Sequence, residues 1–253
     1  MIRTHLPKAF PLSFGNSGGY SPAVRLIGIL GGTSWPSTIL PYRLLNQDVQ
    51  QRLGGHHSAR IVLYSIDYHA IRSDYSNGWN DIPGLLLGEI NTLLGFQPDC
   101  WMIANNTLHK IYNQIKHQLP SDPPMFHAID LVREHLLARS AKKVLLLGTR
   151  FTMEDDYYAG PIRNAGIEVE IPSEADRVRV GAIQMELAEG RSQQEFTEYF
   201  ADLIARHSRA GCEAVILGCT ELPLAITQES SPIHVVDPLV LQCAACVDFA
   251  LAP

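Results

Sequence analysis

Short apolar runs and longer amphipathic stretches alternate along almost the whole chain. Strand-length apolar runs occupy residues 25–30 (RLIGIL), 59–67 (ARIVLYSID), 100–105 (CWMIAN), 142–149 (KKVLLLGT), 167–172 (IEVEIP), 212–219 (CEAVILGC) and 233–238 (IHVVDP). Between them, apolar residues recur at helical spacing over 36–54, 81–96, 107–119, 131–140, 152–166, 179–190, 192–211 and 238–253. Near-continuous apolar strands separated by helices are what a parallel sheet covered on both faces requires. The pattern predicts an α/β fold. The punctuation agrees with it: Pro36 suits a first helical turn, and Gly54 suits a C-terminal stop.

The alternation also repeats. Gly31 and Asn105 are separated by nearly the same length of chain as Gly148 and Cys219, and both pairs join the end of a first strand to the end of a later one. Two pseudo-symmetric lobes follow, each with a mostly parallel sheet flanked by helices. The expected division is a flexible N-terminal extension (1–24), a first lobe (25–138) onto which the C-terminal helix (238–253) can fold back, and a second lobe (139–237). Open parallel sheets bind ligands at the carboxyl ends of their strands. Facing lobes would therefore set IANNTLHK (103–110) and VILGCTEL (215–222) on opposite walls of one cleft.

Composition narrows the classes of function. Of 253 residues, 46% are hydrophobic and 18% charged, with a net charge of −6, an ordinary balance for a globular protein. No basic stretch offers phosphate neutralisation, so a nucleic-acid partner is not expected. No run approaches the ~18 apolar residues a membrane span needs. The N-terminus starts basic, but Pro7, Pro11 and Gly15 interrupt any apolar core of a signal peptide, which leaves the cytoplasm as the expected location. Five cysteines without a secreted context read as reduced thiols. Cys243 and Cys246 form a C-x-x-C, but with no second pair they read as small core residues of the last helix, and no metal is expected.

Cys219 is the residue with the most chemistry to offer. It ends a strand and precedes Thr220 and Glu221, and backbone N–H groups at the start of the next segment favour thiolate. The matching place in the first lobe holds Asn105, followed by Asn106 and Thr107. Thr33 and Ser34 after the first strand, and Thr149 and Thr152 after its equivalent, would line the floor. Asn106, Thr107 and Thr220 offer donors to a carboxylate.

The stretches IGILGGTSWPSTILPYRLLNQDVQQRLGGHHSARIVLYSID, GTRFTMEDDYY and VILGCTELPLAI, in that order, resemble the aspartate/glutamate racemase family from about Arg25 to the C-terminus. The resemblance implies a cofactor-free mechanism in which two thiols flank the substrate α-carbon, one removing its proton and the other returning one to the opposite face. It also implies a homodimer and a small acidic amino acid, aspartate or glutamate, as substrate. Aligned this way, Cys219 is the second thiol, the one that serves the L-enantiomer in the family. Asn105 stands where the first is expected, and an amide has no useful pKa near neutrality. His109, one helical turn further on, is the substitute acid the sequence offers. Glu221 would tune Cys219 or bind the amino group. Arg72 stands where some family members carry a carboxylate-binding arginine, and Arg177 or Arg179 stands near the position of a substrate-binding lysine. One thiol is also enough for a decarboxylase of the arylmalonate decarboxylase type, and a cleft that binds without turnover is a further alternative.

Overall fold

The structure, a computed structural model, describes residues 24–253; the extension expected over 1–24 lies outside these save for Val24. Chain order gives β1 (Leu26–Gly31), α1 (Trp35–Leu53), β2 (Arg60–Ser65), α2 (His69–Ser73), α3 (Ile82–Leu94), β3 (Cys100–Ile103), α4 (Leu108–Ile115) and α5 (Ala128–Ala138) in the first half. The second half gives β4 (Lys143–Gly148), α6 (Arg150–Glu154), α7 (Asp156–Asn164), β5 (Glu168–Glu170), α8 (Glu174–Ala188), α9 (Gln194–Arg209), β6 (Ala214–Gly218), β7 (His234–Val236) and α10 (Pro238–Leu251).

Two all-parallel sheets result, ordered β2-β1-β3 and β5-β4-β6-β7. In each, the first strand of the half is central. The halves match further than the strand lists suggest. Met125 forms a parallel bridge to Trp101 of β3, with backbone bonds from Trp101 N to Pro124 O and from Phe126 N to Trp101 O, so it sits beside β3 as β7 sits beside β6. The physical basis is visible in burial. β3 and β6 are buried at every residue, as continuous apolar runs covered on both faces should be.

The helix that closes each half packs on the other half's sheet. Leu239, Cys243, Cys246 and Val247 of α10 join Ile27, Ile29 and Met102 in one core. Ile129, Val132 and Leu136 of α5 join Val144, Leu146 and Ile216 in another. This exchange ties the lobes together, because burying each such side chain stabilises the fold by roughly 1.5–3 kcal/mol. Arg52 adds a link at the end of α1, pairing with both Asp48 and Asp248. Cys243 and Cys246 are free and buried in this core.

One expected helix is broken in two. Apolar periodicity predicts a single helix over 152–166, but Asp155 is extended (φ −85, ψ 144) between α6 and α7. The Thr149 hydroxyl caps α6 by accepting from Thr152 N, and the Asp155 carboxylate is held by Lys110 of the opposite lobe. Periodicity does not register that tertiary pull. Among the described residues no helix is long and apolar enough to cross a membrane.

Candidate active site

The carboxyl ends of β1, β3, β4 and β6 open onto a cavity of about 460 Å³ between the lobes. The backbone comes close together here. A Cβ on Gly218 would lie 2.6 Å from Thr152 Cγ2 and 2.8 Å from the Leu147 carbonyl, so only glycine allows β6 to end against that threonine. Gly32 (φ 91) turns the chain out of β1 over the backbone of Ile66, a conformation and an approach that a side chain would both resist.

Most of the residues expected at the site line this cavity: Thr33, Ser34, Arg72, Asn105, Asn106, Thr107, Thr149, Cys219, Thr220 and Glu221. The lobes meet across it, with Thr107 Oγ1 3.5 Å from Thr149 Oγ1. Thr152 lies beneath the floor, fully buried, its hydroxyl 3.0 Å from Thr149 Oγ1 and 3.1 Å from Tyr157 Oη. It supports the wall without facing the cavity.

Asn105 is tied at both ends of its amide. Its Oδ1 accepts from Leu108 N at 2.8 Å, at the start of α4, and its Nδ2 donates to Thr33 Oγ1 at 3.1 Å. On the other wall, Cys219 donates its thiol proton to Glu221 Oε2 at 2.8 Å, and Thr220 Oγ1 donates to the same oxygen at 3.1 Å. The amides of Thr220 and Glu221 do favour thiolate, as the sequence suggests. Burial, with the Glu221 carboxylate second, outweighs them and pushes the Cys219 thiol well above its ordinary range. The resting thiol is protonated and already hydrogen-bonded to a carboxylate.

Three residues expected here lie elsewhere. His109 is fully buried on the α4 face that carries Leu108, Ile111 and Ile115, packed against His127 with ring centroids 4.3 Å apart. Neither ring nitrogen makes a hydrogen bond of ordinary geometry, and burial, reinforced by His127 and only partly offset by the nearby Ile103 carbonyl, holds its pKa well below the usual histidine value. One helical turn carried it around α4 into the core rather than toward the cleft. Arg177 is drawn to Glu154 at 2.9 Å and to the Pro172 carbonyl at 2.8 Å. Arg179 pairs with Glu195 at 2.5 Å on the outer surface.

The structure adds residues that the sequence reading missed. Tyr68 and Tyr75 join hydroxyls at the mouth, and Arg72 stacks over the Tyr75 ring at 5.0 Å with no acidic partner among the described ion pairs. Phe151 of α6 meets Tyr75 and Trp79 edge-on, and Lys110 lies 4.4 Å over Trp79 while bonding Asp155 at 2.7 Å. This aromatic latch closes one end of the cleft across both lobes. Gln184 and Met185 of α8 line the far side. Arg150 and Phe151, directly after Thr149, were within reach of sequence reasoning. Gln184 carried no signal beyond helical periodicity.

A thiol and a carboxylate paired at a strand end, in a cleft between two α/β lobes lined by hydroxyls and amides, can carry acid–base chemistry. Residues 30–246 match the Asp/Glu/Hydantoin racemase family, and the chain belongs to that family. Among solved structures it is similar to a candidate Asp/Glu racemase from Yersinia pestis (33% identity, 90% of this chain and 100% of that one, TM-score 0.81). An aspartate racemase homologue from Pyrococcus horikoshii OT3 is similar too (30% identity, 90% and 100% covered, TM-score 0.77). Picrophilus torridus aspartate racemase shares the fold at 22% identity, with 89% and 94% covered and a TM-score of 0.72.

Proposed function

We propose that the protein is a racemase-like enzyme that exchanges the α-proton of an acidic amino acid, aspartate or glutamate, at Cys219, without pyridoxal phosphate. The observation that carries this is the 2.8 Å hydrogen bond from the Cys219 thiol to Glu221 inside the cleft. Glu221 takes the thiol proton, and the thiolate so formed takes the proton from the substrate α-carbon. The electron pair left on that carbon is delocalised into the α-carboxylate, whose developing charge the Thr220, Thr107 and Asn106 donors would meet. Arg72, exposed at the cavity and free of an acidic partner among the described residues, suits the second carboxylate.

Neither Asn105 nor His109 is placed to act as an acid on the first-lobe wall. Asn105 is committed to Leu108 and Thr33, and His109 is buried away from the cavity. Proton return therefore comes from the Cys219 side, or from solvent on the Asn105 face, and exchange should outpace inversion. The single cleft thiol also favours a second reading, protonation of a carbanion left by decarboxylation of a malonate-type substrate. By family resemblance we expect a cytoplasmic homodimer.

Proton NMR in D₂O tests this with L- and D-aspartate and L- and D-glutamate, following loss of the α-proton signal separately from appearance of the opposite enantiomer. Exchange of one enantiomer with little inversion, abolished in Cys219→Ala, is the expected result. Exchange with full inversion would mean that an acid operates on the Asn105 face. No exchange with any of the four would remove the acidic amino-acid reading and leave decarboxylation or binding without turnover.

A further inference from the structure

Away from the cleft, three side chains from different elements of the second lobe converge. Glu170 ends β5, His207 lies in the last turn of α9, and Cys212 precedes β6. Glu170 Oε2 is 3.0 Å from His207 Nδ1 and 3.1 Å from Cys212 Sγ, and the three atoms all lie within 4.8 Å of one another. Ligand atoms around a tetrahedral zinc ion, bound at ~2.0–2.3 Å, are roughly 3.3–3.8 Å apart. The two contacts of Glu170, at 3.0 and 3.1 Å, are slightly inside that spacing, and the third pair lies within 4.8 Å.

The backbone fixes two of them. Gly211, at φ 94, ends α9 with paired reverse bonds, from Gly211 N to Ser208 O at 2.9 Å and from Cys212 N to His207 O at 3.0 Å. This helix stop brings the third-last helical residue and the second residue past the cap to the same side, where an apolar pair commonly meets. Here the pair is an imidazole and a thiol. β5 then sets Glu170 against both. None of the three lines the cleft cavity.

We propose that Glu170, His207 and Cys212 form a site for a zinc-class divalent cation, with a fourth position open to water. A thiolate, an imidazole and a carboxylate together suit zinc or cobalt(II) rather than calcium or magnesium, which take oxygen ligands. On binding, Cys212 releases its proton to solvent and the sulfur–metal bond forms. Bound to the ion, the His207 ring coordinates through Nδ1 and carries its proton on Nε2. The thiolate and the Glu170 carboxylate then balance the two positive charges.

The neighbouring charges allow this. Lys143 Nζ lies 3.2 Å from the other Glu170 oxygen, Oε1, and 3.2 Å from Glu168 Oε1, so its own charge is matched by Glu168. In the metal-free protein, burial and then Glu170 push the Cys212 thiol up to about 12, in keeping with a thiol that donates to the carboxylate. The ion would bind β5, α9 and the approach to β6 together, strengthening the half that carries Cys219.

Cobalt(II) titration of the full-length chain, under a phosphine reductant, tests the proposal. We expect one equivalent to give a near-ultraviolet thiolate-to-cobalt charge-transfer band with the visible bands of four-coordinate cobalt. The band should vanish in Cys212→Ser and persist in Cys219→Ser. Losing a partner outside the ligand shell weakens metal sites by ~10–100-fold, so Glu170→Gln and His207→Gln should each weaken cobalt at least tenfold. A band that survives Cys212→Ser, or no band at all, overturns the proposal. Should Cys212→Ser fail to fold by circular dichroism, the Glu170→Gln and His207→Gln pair decides alone, and unchanged affinity in both would overturn it equally.

Discussion

The Cys219–Glu221 pair makes two readouts move in opposite directions in Glu221→Gln. The substitution keeps the size and an oxygen for the thiol to donate to, but removes the negative charge and the proton acceptor. The 2.8 Å contact lies within the ~2.6–3.2 Å reach of a general base, and such transfers contribute roughly 10²–10⁴-fold. At about 1.36 kcal/mol per tenfold, the loss corresponds to a barrier higher by about 2.7–5.4 kcal/mol. Exchange of the substrate α-proton in D₂O should therefore slow by at least about a hundredfold. Alkylation of Cys219 by iodoacetamide should instead speed up at a given pH, because the carboxylate that opposes the thiolate is gone while the Thr220 and residue-221 amides remain. A glutamate that merely packed beside the thiol would leave exchange alone. Exchange within about threefold of wild type falls outside the range for a lost base, and with faster alkylation it would refute the role given to Glu221.

Arg72→Gln should raise KM for aspartate or glutamate by about 10–100-fold, the loss of a charge-assisted hydrogen bond worth ~1.5–3 kcal/mol. Arg179→Gln, paired with Glu195 outside the cleft, should leave KM unchanged in the same steady-state assay. The buried His109–His127 pair is held neutral, by desolvation first in each, so folded pKa values lie below the unfolded value near 6.5. The unfolded chain then binds more protons as pH falls below about 6.5, and the fold loses stability there. Urea midpoints at pH 7 and pH 5 should show that loss shrink in His109→Phe. Lys110→Met and Asp155→Asn, which cut the link between lobes, should show a coupling of about 0.5–1 kcal/mol in a thermal double-mutant cycle at low salt, reduced at high salt because both side chains are a quarter to a third exposed.

The α/β class and the pairing of 103–110 with 215–222 are legible in the sequence because they rest on the hydrophobic period and on the spacing of strand ends. Both are properties of the chain read in order. The exchange of α5 and α10 between lobes is not, since an apolar helix face does not name the sheet it will cover. Arg177 illustrates the same limit at the site. It stands where a carboxylate-binding cation was expected, yet Glu154 and the Pro172 carbonyl lie closer and satisfy it. His109 fails differently: the count from Asn105 was right, but one helical turn sent the ring into the packed interior against His127 rather than toward the cleft.

Asn105, at the strand end opposite Cys219, has a structural task of its own. A cysteine there could neither accept well from Leu108 N nor reach Thr33 with a second donor, whereas the amide does both at 2.8 and 3.1 Å. The residue fastens the turn after β1 to the start of α4, and so fixes the wall that faces Cys219. With neither Asn105 nor His109 acting as an acid at that wall, the proposed mechanism puts proton transfer on Cys219 and makes turnover depend on the Glu221 carboxylate beside it. In the proposed mechanism the two walls divide the work, one holding the cleft in shape and the other carrying the proton.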